Sequence, residues 1–100
     1  MLPEMIEDWR TSAVDELCDA LLTLRTRDEA AAFLRDICSL SELEALSHRL
    51  ATARMLEAGL PYTRIASELH GSTATVTRVA HWLNHGEGGY RLVLDRMGER

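Results

Sequence analysis

The sequence predicts an all-α fold of about six helices with a helix-turn-helix in its second half. Three observations predict it. Apolar residues recur at three- and four-residue spacing along most of the 100 residues, and no alternating run reads as a strand. Thr26-Arg-Asp-Glu29 and Ser39-Leu-Ser-Glu42 are capping boxes, each placing a hydroxyl and a carboxylate at a helix start. Between Leu60 and Leu83 two short amphipathic stretches meet at Ser67-Glu-Leu-His-Gly-Ser72, a turn sequence between helices.

Ile6, Trp9, Ala13, Leu17, Ala20 and Leu24 mark the first helix. The box at Thr26 opens the second, with Ala30, Phe33, Leu34 and Ile37 facing inward. The box at Ser39 opens a third and longer helix, which runs to about Ala58 and is ended by Gly59. Leu43, Leu46, Leu50, Ala53 and Leu56 form its main stripe, while Ala45, Ala51 and Met55 carry apolar surface onto other sides. A helix apolar on more than one side needs more than one partner to cover it. In a chain this short the expected second partner is another copy, so a homodimer is predicted.

Pro61 suits the first turn of the fourth helix, where its missing N–H costs nothing. Ala66 is the small residue at the crossing of the fourth and fifth helices, with Ile65, Leu69, Val76, Val79 and Leu83 as apolar contacts. In the usual helix-turn-helix pattern the glycine falls where this chain has His70, and here it comes one place later, at Gly71. Histidine tolerates a left-handed backbone better than most residues, so the turn is expected to survive. Ser72 is an N-cap for a fifth helix from Thr73 to about Leu83. Asn84-His-Gly-Glu-Gly-Gly89 reads as a turn before a short last helix, Tyr90 to about Met97, with Leu92, Val93, Arg96 and Met97 in packing register. The expected organisation is one domain over 1–100: mainly dimerisation helices over 1–58, the helix-turn-helix over 60–84 and a short helix over 90–97.

A helix-turn-helix places its second helix in the major groove, with N-terminal residues against base edges. Thr73, Ala74 and Thr77 are short side chains that allow such an approach. Ser72, Arg54, Thr63, Arg64 and Arg78 complete the expected DNA-contacting set, mainly toward phosphates. The net charge of −5 opposes this only in total. Residues 1–48 hold eleven acids and four bases, whereas residues 49–84 hold Arg49, Arg54, Arg64 and Arg78 against Glu57 and Glu68. The one positive segment carries the motif, and the local field matters more than the sum. A footprint this weak implies modest non-specific affinity and a need for two heads.

Cys18 and Cys38 match no zinc or redox spacing and read as buried thiols of a reducing cytoplasm. No apolar run reaches membrane-span length, and the acidic N-terminal segment is unlike a secretory signal. No cofactor, metal site or catalytic constellation is expected. His81 and His85 have metal-ligand spacing on a helix but no third ligand, and so read as surface histidines.

Leu40-Ser-Glu-Leu-Glu-Ala-Leu-Ser-His-Arg-Leu50, Leu56-Glu-Ala-Gly59 and Ser72-Thr-Ala-Thr-Val-Thr-Arg78 together resemble the tryptophan repressor family. The ending Leu83-Asn-His-Gly-Glu-Gly-Gly-Tyr-Arg-Leu92 is similar to its YerC/YecD-like branch. The resemblance covers roughly residues 15–95. It implies an intertwined all-helical homodimer with two reading heads and a role in transcriptional control, expected to be repression at a palindromic site. It also implies an effector cleft between Arg49 and Arg78, where responsive members hold the indole. Val79 stands where the repressor has glycine, and Trp82 where it has a serine near the ligand's amino group. Both add bulk in that cleft, so tryptophan is not the expected effector, while another small molecule stays open. A helical interaction module that keeps this fold without reading DNA is the alternative.

Overall fold

The computed structural model describes residues 9–98. Among them are six helices and no strand: α1 (Ser12–Leu21), α2 (Arg27–Ile37), α3 (Leu40–Glu57), α4 (Tyr62–Glu68), α5 (Thr73–His85) and α6 (Gly89–Gly98). The chain divides into two compact units, one up to Leu40 and one from Ser41.

In the first unit, helix starts are set by hydroxyl caps. The Thr11 side chain accepts from the Val14 N–H at 3.2 Å, so α1 begins at Ser12 and Trp9 lies before it. Leu24 lies beyond its end, so with Trp9 before its start α1 is shorter than the apolar spacing predicts; Ile6 lies outside the described residues. At α2 the Thr26 hydroxyl accepts from the Glu29 N–H at 3.1 Å, while the Glu29 carboxylate accepts from the Arg25 N–H at 2.9 Å. The carboxylate thus reaches one residue further back than a reciprocal capping box requires. No residue of α1 or α2 is buried. Leu17, Leu21 and Ile37 remain exposed, as does Cys18, while Cys38 is half-buried. The expected burial of both thiols is therefore not found: among the described residues, Cys18 belongs to a helix with no buried side chain.

The second unit has a core. Ile65, Ala66 and Val76 form its buried centre, with Met55, Leu56, Leu60 and Leu69 packed around it. Val79, Ala80 and Leu83 continue the buried side of α5. Burying a side chain such as Ile65 or Val76 contributes about 1.5–3 kcal/mol. Thr52, fully buried on α3, donates its hydroxyl to the carbonyl of His48 one turn back at 2.8 Å, which satisfies it.

Helices α3 and α4 end in the same way. After α3, the N–H groups of Gly59 and Leu60 donate back to Leu56 and Met55, around a left-handed Gly59 (φ 84°). After α4, the N–H groups of His70 and Gly71 donate back to Ser67 and Ala66, around a left-handed His70 (φ 56°). Both are Schellman endings, and the second uses histidine in the place glycine usually takes. In α6 the half-buried residues are Tyr90, Leu94 and Met97, whereas Leu92 and Val93 are exposed. The packing register expected through Leu92 and Val93 is therefore rotated, since it is the i, i+4, i+7 row from Tyr90 that packs.

Candidate nucleic-acid interface

Helix α5 has one apolar and one polar side. Val76, Val79, Ala80 and Leu83 anchor it, which turns Thr73, Ala74, Thr77 and Arg78 to solvent. Arg54 at the end of α3, Thr63 and Arg64 on α4, and Ser72 are exposed as well. The structure thus leaves every residue of the expected DNA-contacting set accessible within the second unit.

Their hydrogen bonds refine what each can do. The Ser72 hydroxyl accepts from the Thr75 N–H at 3.3 Å and lies 3.2 Å from the Thr75 hydroxyl, so its first role is to cap α5. The N–H groups of Thr73 and Ala74, in the first turn, have no acceptor within the helix and point along the positive end of its dipole. Those amides, more than the Ser72 side chain, suit a phosphate. Thr77 donates its hydroxyl to the Thr73 carbonyl at 2.9 Å, so on this exposed side chain the oxygen keeps its capacity to accept a further hydrogen bond. Arg64 lies 3.6 Å from the Glu68 carboxylate one turn on, an exposed pair of the kind that yields easily to a stronger anion. Among the described residues no carboxylate lies within ion-pair distance of Arg49, Arg54 or Arg78.

Arg49 and Arg78 are brought together. They line a hollow of about 520 Å³ with Glu44, His48, His70 and Val79, and Ser41 and Thr75 also reach it. A second hollow of about 310 Å³ shares Arg49, Arg78 and Val79 and adds Trp82 and Tyr90. Val79 is almost fully buried, while Trp82 is half exposed with its ring edge-on to His81 at 5.6 Å. Glu44, Ser41, Thr75 and His48 were not marked by the sequence as cleft residues; Ser41 and Thr75 stand at helical spacing from Arg49 and Arg78, eight and three residues before them, whereas Glu44 and His48 do not. The rings of His81 and His85 lie 5.4 Å apart, and no group of three metal-ligating side chains occurs among the described residues. Nor is any described helix long and apolar enough to cross a membrane.

His48 is the residue whose role the sequence did not disclose. Its Nε2 lies 3.0 Å from the carbonyl oxygen of Leu69, where α4 ends. A Cβ built on Gly71 would lie 3.1 Å from Cε1 of the same ring. The displaced glycine of the motif is explained by this pair: His70 supplies the left-handed turn, and Gly71 leaves room for His48.

An anchored α5 with short exposed side chains at its start, joined to α4 through a Schellman turn, defines a helix-turn-helix protein. The sequence profile of the Trp repressor protein family matches residues 12–98, and the chain belongs to that family. It is 38% identical over 94 residues to the YerC protein of Bacillus subtilis (strain 168), covering 94% of this chain and 90% of that one. A TrpR-like protein from Eubacterium eligens ATCC 27750 superposes with a TM-score of 0.85 at 40% identity, over 92% of this chain and 95% of that one. A second solved structure, from Staphylococcus aureus, has a TM-score of 0.85 at 44% identity and 93% coverage of both chains. The fold is the all-α Trp repressor-like fold, and family membership supports a DNA-binding regulator rather than an enzyme.

Proposed function

We propose that the chain is a cytoplasmic, sequence-specific transcriptional regulator, a repressor, that acts as a homodimer on a palindromic site. The observation that carries this reading is the division of α5 into a buried row (Val76, Val79, Ala80, Leu83) and an exposed start (Thr73, Ala74, Thr77). Thr73, Ala74 and Thr77 are the base-edge readers, and Thr77 presents a methyl and an acceptor of the kind that meets thymine and cytosine. Arg54, Thr63, Arg64 and Arg78, with the bare amides of α5 behind the Ser72 cap, hold phosphates. The second copy covers the apolar sides of α1 and α2, where Leu17, Leu21 and Ile37 have no cover of their own. Within this organisation the chain is a single domain.

The hollow between Arg49 and Arg78 is the effector site, and the two guanidiniums suit a small molecule with an anionic group. Val79 and Trp82 line the smaller hollow beside Arg49 and Arg78, which supports an effector other than tryptophan.

Selection from a pool of random duplexes tests the function. Enrichment of a two-fold symmetric sequence with half-sites about one helical turn apart is the expected outcome. A pool that enriches nothing overturns it in favour of an interaction module with this fold.

A further inference from the structure

The turn after α5 carries a device that the DNA-contacting set does not use. Arg91, the third residue of α6, donates from Nη1 to Oε2 of Glu57 at 2.7 Å and from Nη2 to Oδ1 of Asn84 at 2.7 Å. Glu57 is the last residue of α3, and Asn84 lies in the last turn of α5. The Asn84 amide in turn donates to the Ala80 carbonyl at 2.9 Å, which fixes which way its oxygen points. One guanidinium therefore joins three helices. The glycines between make the return possible: a side chain at Gly86 would collide with the Trp82 carbonyl, and the backbone at Gly88 is left-handed (φ 86°).

We propose that Arg91 is a positioning residue that sets the direction of α5 by clamping its C-terminal end to the end of α3. The inference rests on α5 being the DNA-reading helix. Exposed ion pairs contribute little to stability, and this pair is about 40% exposed (44% at Arg91, 37% at Glu57). Its geometry is the unusual part. Two short charge-assisted bonds from one planar group constrain direction as well as distance, which a lysine ammonium does not do. The start of α5 is already held by its packing on Ile65 and Ala66. Val79, Ala80 and Leu83 pack its second half, and over a 13-residue helix about 20 Å long a residual shift of about 2 Å at the C-terminal end still swings it by about 6°. The clamp removes that freedom, and with it the misalignment of Thr73, Ala74 and Thr77 against base edges.

Arg91→Lys keeps the charge and loses the fork. Two measurements on the full chain read it: amide hydrogen exchange over residues 80–86 without DNA, and affinity for the selected duplex against a scrambled duplex. In Arg91→Lys, exchange is expected to quicken about tenfold, because local opening no longer breaks two bonds. Affinity for the selected duplex is expected to fall about tenfold, and for the scrambled one to change by less than about twofold. The thermal midpoint should stay within a few degrees, and Arg96→Ala, on the same helix, should leave the exchange unaltered. Unchanged exchange overturns the clamp. Faster exchange with intact specific affinity overturns its positioning role, and an equal loss on both duplexes with a lowered midpoint reduces it to plain stability. A wild-type chain that prefers no sequence overturns the reading of α5 and this inference together, which separates that failure from the others.

Discussion

His48 and Leu69, twenty-one residues apart, are joined by a 3.0 Å hydrogen bond from the imidazole to the carbonyl that closes α4. The ring also fills the space beside Gly71, so one side chain of the long helix both holds and shapes the turn of the reading head. His48→Ala is expected to lower stability by about 0.5–1.5 kcal/mol, the net value of one such bond. Gly71→Ala forces the ring to yield and destabilises by a similar amount, but much less in the His48→Ala background. Urea unfolding of the four proteins of this double-mutant cycle measures the coupling. Additive losses would show that the ring and the glycine do not share the space.

His70 occupies the left-handed position of the same turn. His70→Val should cost about 1–3 kcal/mol, since a branched Cβ is strained at φ 56°. His70→Gly should lose nothing measurable or gain slightly, because relief of backbone strain offsets the added freedom of the unfolded chain. The same denaturation midpoints decide it, with a stable His70→Val the contrary outcome.

How much of this was legible in the sequence depends on distance along the chain. The caps at Thr26 and Ser72, the apolar row of α4 and α5 and the left-handed His70 are local features, and local periodicity and cap chemistry reveal them. His48 and Arg91 were opaque, because their partners lie 21 and 34 residues away and no spacing rule links them. The face of α6 was misplaced for a related reason. Periodicity shows that Leu92, Val93, Leu94 and Met97 are apolar, but which row packs depends on where the glycine turn delivers the helix.

On DNA, Thr77→Ala should change base preference at one position by about 1–3 kcal/mol while sparing the rest of the site. Arg64→Ala should weaken all sequences alike and flatten the salt dependence by about one unit of slope. Glu68→Gln should do the opposite of Arg64→Ala in affinity, because it frees Arg64 from its 3.6 Å partner and removes a negative charge from the face. Binding isotherms at several salt concentrations on the selected and a scrambled duplex separate the three. A Thr77→Ala protein with unaltered base preference would place the reading elsewhere.

Sedimentation should find a dimer at micromolar concentration, burying more than about 2,000 Å². A folded monomer there would mean that the apolar sides of α1 and α2 serve some other partner.

Titration calorimetry with L-tryptophan should show no micromolar binding, in line with Val79 and Trp82 at the arginine cleft. Micromolar binding that also tightens the selected duplex would show that the two side chains make room for the indole.

The uncovered helices come first in the chain, and this bears on how the protein is made. Leu17, Leu21, Leu22, Ile37 and Leu40 all precede the Ile65–Val76 core in the chain and are made before it. Exposed apolar surface on a nascent chain is prone to aggregation and is what chaperones bind. On the proposed dimer a second copy covers that surface, so the interval between synthesis and pairing is when the chain is most open to aggregation.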